Sequence, residues 1–318
     1  MKLLLLLMLA FTCAAHTADP PRIVAYVPNW IDLQTFIPKI DFEKITHLNL
    51  AFENPIDDDG DLSFNPSNTL VIGTAKKQQV KILLSIGGGS ASSDPALLQR
   101  YATLLDAQHR SRFVMKLSSF LIEHHFDGLD VNLEGPAITA DYAPFIAELS
   151  TALQAHKLLL TAALSHGYGG ENIPAETLRK FHFINIMAYD ASGPWNPYQP
   201  GQHSSLAFAR QCVDYWLGRG LPAASLNLGV PFYGYGFGAA FHKSGYPYHE
   251  ILTKFLQATD SDQAGETIFY NCPATLKAKV NLVQKSHLGG IMIWSLDGDA
   301  TGDASLLRVI HTRLHAKP

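Results

Sequence analysis

Charge of either sign is scarce in this chain. Of 318 residues only 16% are charged, and 24 Lys and Arg stand against 28 Asp and Glu, a formal net charge of -4. Without a basic excess there is no electrostatic footprint for nucleic acid or an anionic membrane, so neither is an expected partner. Cysteine is scarcer still. Cys13, Cys212 and Cys272 stand in no metal-binding or redox spacing. No Gly-x-Gly-x-x-Gly turn follows the first strand-like run, which removes the usual argument for a dinucleotide site. No internal repeat, low-complexity tract or long linker divides the chain, and 47% hydrophobic residues suffice for one full core.

The apolar run that opens the chain is too short to span a bilayer. Met1-Lys2 supplies one early positive charge, Leu3 to Phe11 a short apolar core, and small residues follow. This pattern fits a secretory signal peptide cleaved between Ala14 and Ala18. Residues 1–18 are read as that signal and 19–318 as the mature domain, secreted or periplasmic. Lipid anchoring at Cys13 is the alternative, in a poor context because Phe11 and Thr12 precede it. In an oxidising compartment Cys212 and Cys272 are free to pair, but sequence does not place their Cα atoms within bridging range, and two buried thiols are the other outcome.

What is abundant is a repeated alternation of strand-like and helix-like patterns. Apolar runs rich in Val, Ile and Leu occur at 23–30, 45–52, 81–88, 126–134, 158–165, 183–189, 226–234 and 290–296. Continuous runs of this kind suit parallel strands covered on both faces. Helical spacing lies between them: Phe113, Leu117, Phe120 and Leu121 within 106–125, and Phe145, Leu149 and Leu153 within 142–156. Residues 204–220 and 276–286 serve as later crossovers. The expected fold is an α/β protein, a single (β/α)8 TIM barrel, a fold of about 250 residues before insertions. A doubly wound open sheet is the structural alternative.

The fourth run carries the strongest chemical signal. Residues two apart on a strand share a face, so Gly128, Asp130, Asn132 and Glu134 line one side while Leu129, Val131 and Leu133 line the other. Packing alone does not favour a row of polar groups on a buried strand, because ionised groups lose several kcal/mol of hydration on leaving water. Barrel active sites lie at the C-terminal strand ends. Those ends hold Tyr26 and Trp30, Ser85 with Gly87 and Gly88, Asp130 to Glu134, Tyr189 with Asp190, Tyr233, and Trp294 with Asp297. Converging aromatic rings and carboxylates suit a neutral sugar, whose apolar faces stack while its hydroxyls need hydrogen bonds.

These motifs resemble those of the family 18 glycoside hydrolases, the chitinase and endo-β-N-acetylglucosaminidase family. Asp127-Gly-Leu-Asp130-Val-Asn132-Leu-Glu134 resembles its Asp-x-x-Asp-x-Asp-x-Glu signature, Ser85-Ile-Gly87-Gly88 its Ser-x-Gly-Gly, and Met187-Ala-Tyr189-Asp190 its Met-x-Tyr-Asp. Pro231-Phe-Tyr233-Gly234 and Trp294 fit the seventh and eighth strands. The resemblance implies a hydrolase of β-1,4-linked N-acetylglucosamine glycosides acting by substrate-assisted catalysis, in which the 2-acetamido group forms an oxazolinium. It implies Glu134 as general acid and then base, with Asp130, Asn132 and Tyr189 completing the catalytic set. Tyr26, Ser85, Gly88, Asp190, Tyr233 and Trp294 are the implied substrate-binding and supporting residues. Asp127, of the wrong parity for the ladder, is read as structural. No cofactor or metal is implied, and a monomer is expected.

Asn132 is the departure, since the family usually has Asp there. An amide keeps an acceptor oxygen but no charge, so weakened or pH-shifted activity is expected, and a glycan-binding protein without catalysis is the alternative. Residues 234–290 hold too little chain for a full α+β insertion between strands seven and eight, which suggests a shallow groove. Trp30, Trp195 and Tyr198 are candidates for flanking subsites or for capping the rim. The Asp57-Asp-Asp-Gly-Asp61 cluster is read as a solvated turn, because Pro55 breaks the calcium-loop register, and His124-His125 as a helix end.

Overall fold

The structure, a computed structural model, describes residues 20–255 and 259–316. The signal-peptide reading of residues 1–18, and Cys13 with it, lies outside the described residues. Eight parallel strands close into a barrel: β1 (Arg22–Pro28), β2 (His47–Ala51), β3 (Lys81–Gly87), β4 (Gly128–Asn132), β5 (Leu159–Leu164), β6 (Phe183–Ile186), β7 (Leu226–Pro231) and β12 (Gly290–Trp294). β1 completes the ring by pairing with both β2 and β12.

Burial on two faces explains the continuous apolar runs. Leu48, Leu50, Ile82, Leu84, Leu129 and Val131 belong to the large core beneath the helices, whereas Val24, Tyr26, Ala163, Phe183 and Met292 form a second cluster inside the barrel. The crossover helices are observed at Arg110–Glu123, Tyr142–Ala155, Leu206–Gly218 and Pro273–Lys285. Ser205 caps the third, its hydroxyl accepting from the Phe208 amide, and Pro273 opens the fourth, where its missing N–H leaves no bond unmade.

The connection from β7 to β12 corrects the sequence reading. β7 ends at Pro231 rather than Gly234, and Tyr233–Gly236 leaves the barrel as β8. It joins β9 (Tyr246–Pro247), β10 (Gln263–Ala264) and β11 (Ile268–Phe269) in a four-stranded antiparallel sheet of order β10-β11-β8-β9. Gly234 marks the divergence, for a Cβ there would lie 2.4 Å from the Phe269 carbonyl oxygen. A short helix, Tyr248–Lys254, follows β9, and residues 256–258 lie outside the described residues. The insertion is therefore reduced, as the chain length requires, yet its Tyr233, Tyr235, Ser244 and Pro247 line a cavity at the barrel mouth. Cys212 and Cys272 are both free and buried. Among the described residues no helix is long and apolar enough to cross a membrane.

Candidate active site

The β3–β4–β5 register sets Ser85, Asp130 and Thr161 side by side. Asp130 is fully buried. Its Oδ2 accepts from the Tyr26 hydroxyl at 2.6 Å and the Ser85 hydroxyl at 2.7 Å, and its Oδ1 accepts from the Thr161 hydroxyl at 2.7 Å. Burial pushes the Asp130 carboxyl up, and these donors pull against that rise. A polar chain continues down the lumen. Asn185 donates to the Tyr26 hydroxyl at 3.5 Å, Asn227 to Asn185 at 2.9 Å, and Arg22 to Asn227 at 3.1 Å. Asp127 sits at the strand's start, accepting from the Ile82 amide at 2.9 Å and from Lys81 at 3.3 Å.

Further along the same face the pattern inverts. Asn132 is buried and its Oδ1 has no hydrogen-bond partner among the described residues. Its backbone carbonyl is held by the Gly88 amide at 2.7 Å. Gly88 adopts φ +75, and a Cβ there would lie 2.3 Å from the Phe52 ring, so only glycine lets β3 and β4 end in this way. Glu134, extended just beyond β4 at φ −133 and ψ 158, makes no side-chain hydrogen bond among the described residues. Burial, with the charge of Asp190 second, pushes its carboxyl up to about 7.

Opposite stands the end of β6. Tyr189 is buried, and among the described residues its hydroxyl finds only the Met292 sulfur, at 3.8 Å. Burial, then the charges of Asp190 and Glu134, push that phenol well above its usual range, so it remains a donor. Asp190 occupies the left-handed region at φ +63, accepts a short hydrogen bond from the Tyr233 hydroxyl, and lies 3.5 Å from His203 Nδ1. Two cavities meet at Asp190. One of about 660 Å³ is lined by Glu134, His166, Tyr168, Tyr189 and Trp195, and one of about 210 Å³ by Tyr233, Tyr235, Trp294 and Asp297.

Two aromatic rows flank them. Trp30 stacks on Phe52 at 6.2 Å, Phe52 on Trp294 at 5.6 Å, and Trp294 tilts against Tyr26 at 5.3 Å. On the other side Tyr189, Tyr233, Tyr235 and Trp195 follow one another at 6.3, 5.3 and 5.7 Å, with His203 behind Tyr233 and Tyr235 at 5.0 Å from each.

The structure thus gathers all ten residues named from the sequence, Tyr26, Ser85, Gly88, Asp130, Asn132, Glu134, Tyr189, Asp190, Tyr233 and Trp294, at one barrel mouth and the lumen beneath it. Of the flanking aromatics, Trp30 joins the first row and Trp195 lines the larger cavity, while Tyr198 is 93% exposed and lines neither cavity. The sequence reading missed Phe52, Thr161, His166, His203 and Tyr235. The Asp57–Asp61 turn is a surface feature whose Asp58, Asp59 and Asp61 pair with Arg100, Arg112 and Lys116. His124 caps its helix and stacks on Phe64 at 3.9 Å. Among the described residues no group of three or more His, Cys, Asp or Glu could hold a metal ion.

Comparison with known proteins follows this geometry. The family model described as Glycosyl hydrolases family 18 matches residues 22–299. The solved family 18 chitinase from the chitin utilization locus of Flavobacterium johnsoniae is 39% identical and superposes with a TM-score of 0.85, over 93% of this chain and 94% of that one. Mouse chitotriosidase-1 is 27% identical, over 87% of this chain and 73% of its own length. Human YKL-39, described as a pseudo-chitinase with retained chitooligosaccharide binding, is 24% identical and shares the fold at a TM-score of 0.79, over 93% of this chain and all of its own.

Proposed function

The chain belongs to glycosyl hydrolases family 18, and from that premise we propose that it is a glycosidase cleaving β-1,4-linked N-acetylglucosamine glycosides. One observation carries the reading. Asn132 offers a buried acceptor oxygen without a donor, and Tyr189 a buried donor with only a thioether to meet. An acetamido group presents the complementary pair, one N–H and one carbonyl oxygen. Buried polar groups left unpaired are costly, so a sugar bearing N-acetyl is the ligand that satisfies both.

The chemistry follows from Glu134. Its raised carboxyl holds a proton near neutral pH and can pass it to the glycosidic oxygen. As that bond breaks, the acetamido carbonyl, oriented by Tyr189 and Asn132, attacks the anomeric carbon to form the oxazolinium. Glu134, now a carboxylate, takes a proton from the water that opens this intermediate, giving retained configuration. Asp190 and Tyr233 hold the same sugar, Trp294 forms its floor, and Tyr26, Ser85 and Gly88 support the Asp130–Glu134 strand. The relative from a chitin utilization locus favours chitin oligomers over the core of N-glycans. Residues 1–18 are read as a secretory signal, and 19–318 as the catalytic domain.

Asn132 supports a second reading. With a neutral amide where the family usually carries Asp, the site lacks one stabiliser of the oxazolinium, which suits a chitinase-like protein that binds glycan without cleaving it. Wild type, Asn132→Asp and Glu134→Gln should be incubated with N-acetylglucosamine oligomers and with a high-mannose glycopeptide. Release of oligomer products by wild type, lost in Glu134→Gln, supports the hydrolase. Binding by all three with release by none would leave only the glycan-binding reading.

A further inference from the structure

Lys279 is fully buried on the helix Pro273–Lys285, and among the described residues no carboxylate lies within ion-pair distance of it. Burying an unpaired cation is costly, and an apolar side chain of the same size would avoid that cost. The ammonium instead spends its hydrogen bonds on two neutral oxygens, Ser204 Oγ at 2.6 Å and Asn271 Oδ1 at 2.6 Å. Ser204 Oγ in turn donates to the Ala188 carbonyl at 2.6 Å, and Asn271 Nδ2 donates to the Ser204 carbonyl at 2.9 Å. Ser204 and Asn271 are themselves buried.

These bonds converge on one stretch of chain. Ala188 immediately precedes Tyr189 and Asp190, and Ser204 immediately follows His203. The loop between them is tied across its neck, since the Ala191 amide donates to the His203 carbonyl at 3.0 Å and the Asp190 amide to His203 Nδ1 at 3.4 Å. His203 is fully buried, and its ring backs both Tyr233 and Tyr235. A hydroxyl that accepts from a cation becomes a stronger donor to the next acceptor, so the charge on Lys279 is felt at the Ala188 peptide.

We infer that Lys279 is a positioning residue of the active site, acting through Ser204 to hold the neck of the 188–204 loop and so to set Tyr189 and the left-handed Asp190 against the substrate. Burial draws the Lys279 ammonium down to about 7, and the more distant charge of Asp262 opposes that fall without reversing it. The inference rests on the hydrolase reading only for what Tyr189 and Asp190 do with a sugar.

The test uses the full chain with Ser204→Ala, which removes the hydroxyl link, and Lys277→Gln, which removes an exposed charge from the same helix and leaves the link intact. Hydrogen exchange at the Asp190 and Ala191 amides and the affinity for chitotetraose are measured for each. Ser204→Ala should raise exchange at those two amides about tenfold or more, and weaken binding about tenfold, while β4 and β12 amides stay as in wild type. Lys277→Gln should remain within about threefold of wild type in both. Lys279→Gln provides a second variant should Ser204→Ala fold poorly, with the same local changes expected at smaller size. Wild-type exchange at Asp190 and Ala191 in Ser204→Ala and Lys279→Gln, or a rise spread evenly over the barrel, would overturn the inference. A wild type that binds chitotetraose without cleaving it would sink the hydrolase reading and leave this one standing, because neither readout needs turnover.

Discussion

Asp130 on β4 and Glu134, two residues past its end, stand four residues apart, and the surrounding fold treats them in opposite ways. Asp130 sits in the lumen with three hydroxyl donors on its two oxygens. Glu134 sits at the mouth with none among the described residues. Burial pushes both carboxyls up, but only at Asp130 do donors pull back, whereas at Glu134 the nearby charge of Asp190 pushes further. Hydrogen bonds to the charged form thus divide the labour. The lower carboxylate is a fixed acceptor that ties β1, β3, β4 and β5 together, and the upper one is the group we propose to carry the proton.

The largest effect expected from this contrast is on turnover. Glu134→Gln keeps shape and removes the transferable proton, so kcat should fall by about 10²–10⁴, the usual worth of a general acid. Affinity for chitotetraose should change by no more than a few-fold, as calorimetry can establish. Equal losses in kcat and affinity would show Glu134 to be a binding group instead, and the contrast with Asp130 would collapse.

Between the two carboxylates lies Asn132, whose orphaned oxygen belongs to neither regime. Asn132→Asp restores a charge beside the developing oxazolinium, and groups aimed at developing charge contribute roughly a hundredfold in rate. A rise in kcat of about that size on N-acetylglucosamine oligomers is the expected outcome. The added carboxylate should also raise the Glu134 carboxyl further, extending activity to higher pH. An unchanged rate would mean that the amide already does all that this position requires.

Asp130 is where stability, more than rate, is at stake. Asp130→Asn turns one acceptor oxygen into a donor facing hydroxyls, and an unsatisfied buried group costs about 1–3 kcal/mol. Urea unfolding should report a loss in that range. A neutral result would show that the Tyr26, Ser85 and Thr161 hydroxyls can reorient without cost.

Much of this was legible in sequence, for identifiable reasons. Strands covered on both faces leave continuous apolar runs, so all eight barrel strands stood out, and the period of two placed Asp130, Asn132 and Glu134 on one face. Thr161 is the one hydroxyl within the apolar run Leu158 to Leu164, a visible signal. Its pairing with Asp130 depends on strand register, which a single strand's pattern does not specify. Tyr235 was hidden because β7 was read through Gly234, when the chain had already turned out of the barrel at Pro231. His203 arrives from a loop with no periodicity, and only the fold brings it against Asp190. The amide at 132 could be read directly, but the isolation of its oxygen is a property of its neighbours.

The smallest effect concerns how Glu134 is tuned. With its carboxyl at about 7, the acid form is lost as pH rises, so kcat/KM should fall through about pH 7 and then drop tenfold per unit. Stability follows the same proton. The native state holds it where the unfolded chain, near 4.5, has released it, so Glu134 makes stability decline as pH rises through the window from 4.5 to 7. Glu134→Gln removes that decline and should be more stable than wild type at pH 8, with the margin shrinking to nothing below 4.5. Asp190→Asn removes only the lesser of the two causes. Its alkaline limb, measured as kcat/KM against pH, should move to lower pH yet stay above the ordinary carboxylate range, because burial persists. A limb that does not move would show that burial alone raises Glu134, and a limb that drops into the ordinary range would show that the charge of Asp190, rather than the missing hydrogen bonds, is what separates Glu134 from Asp130.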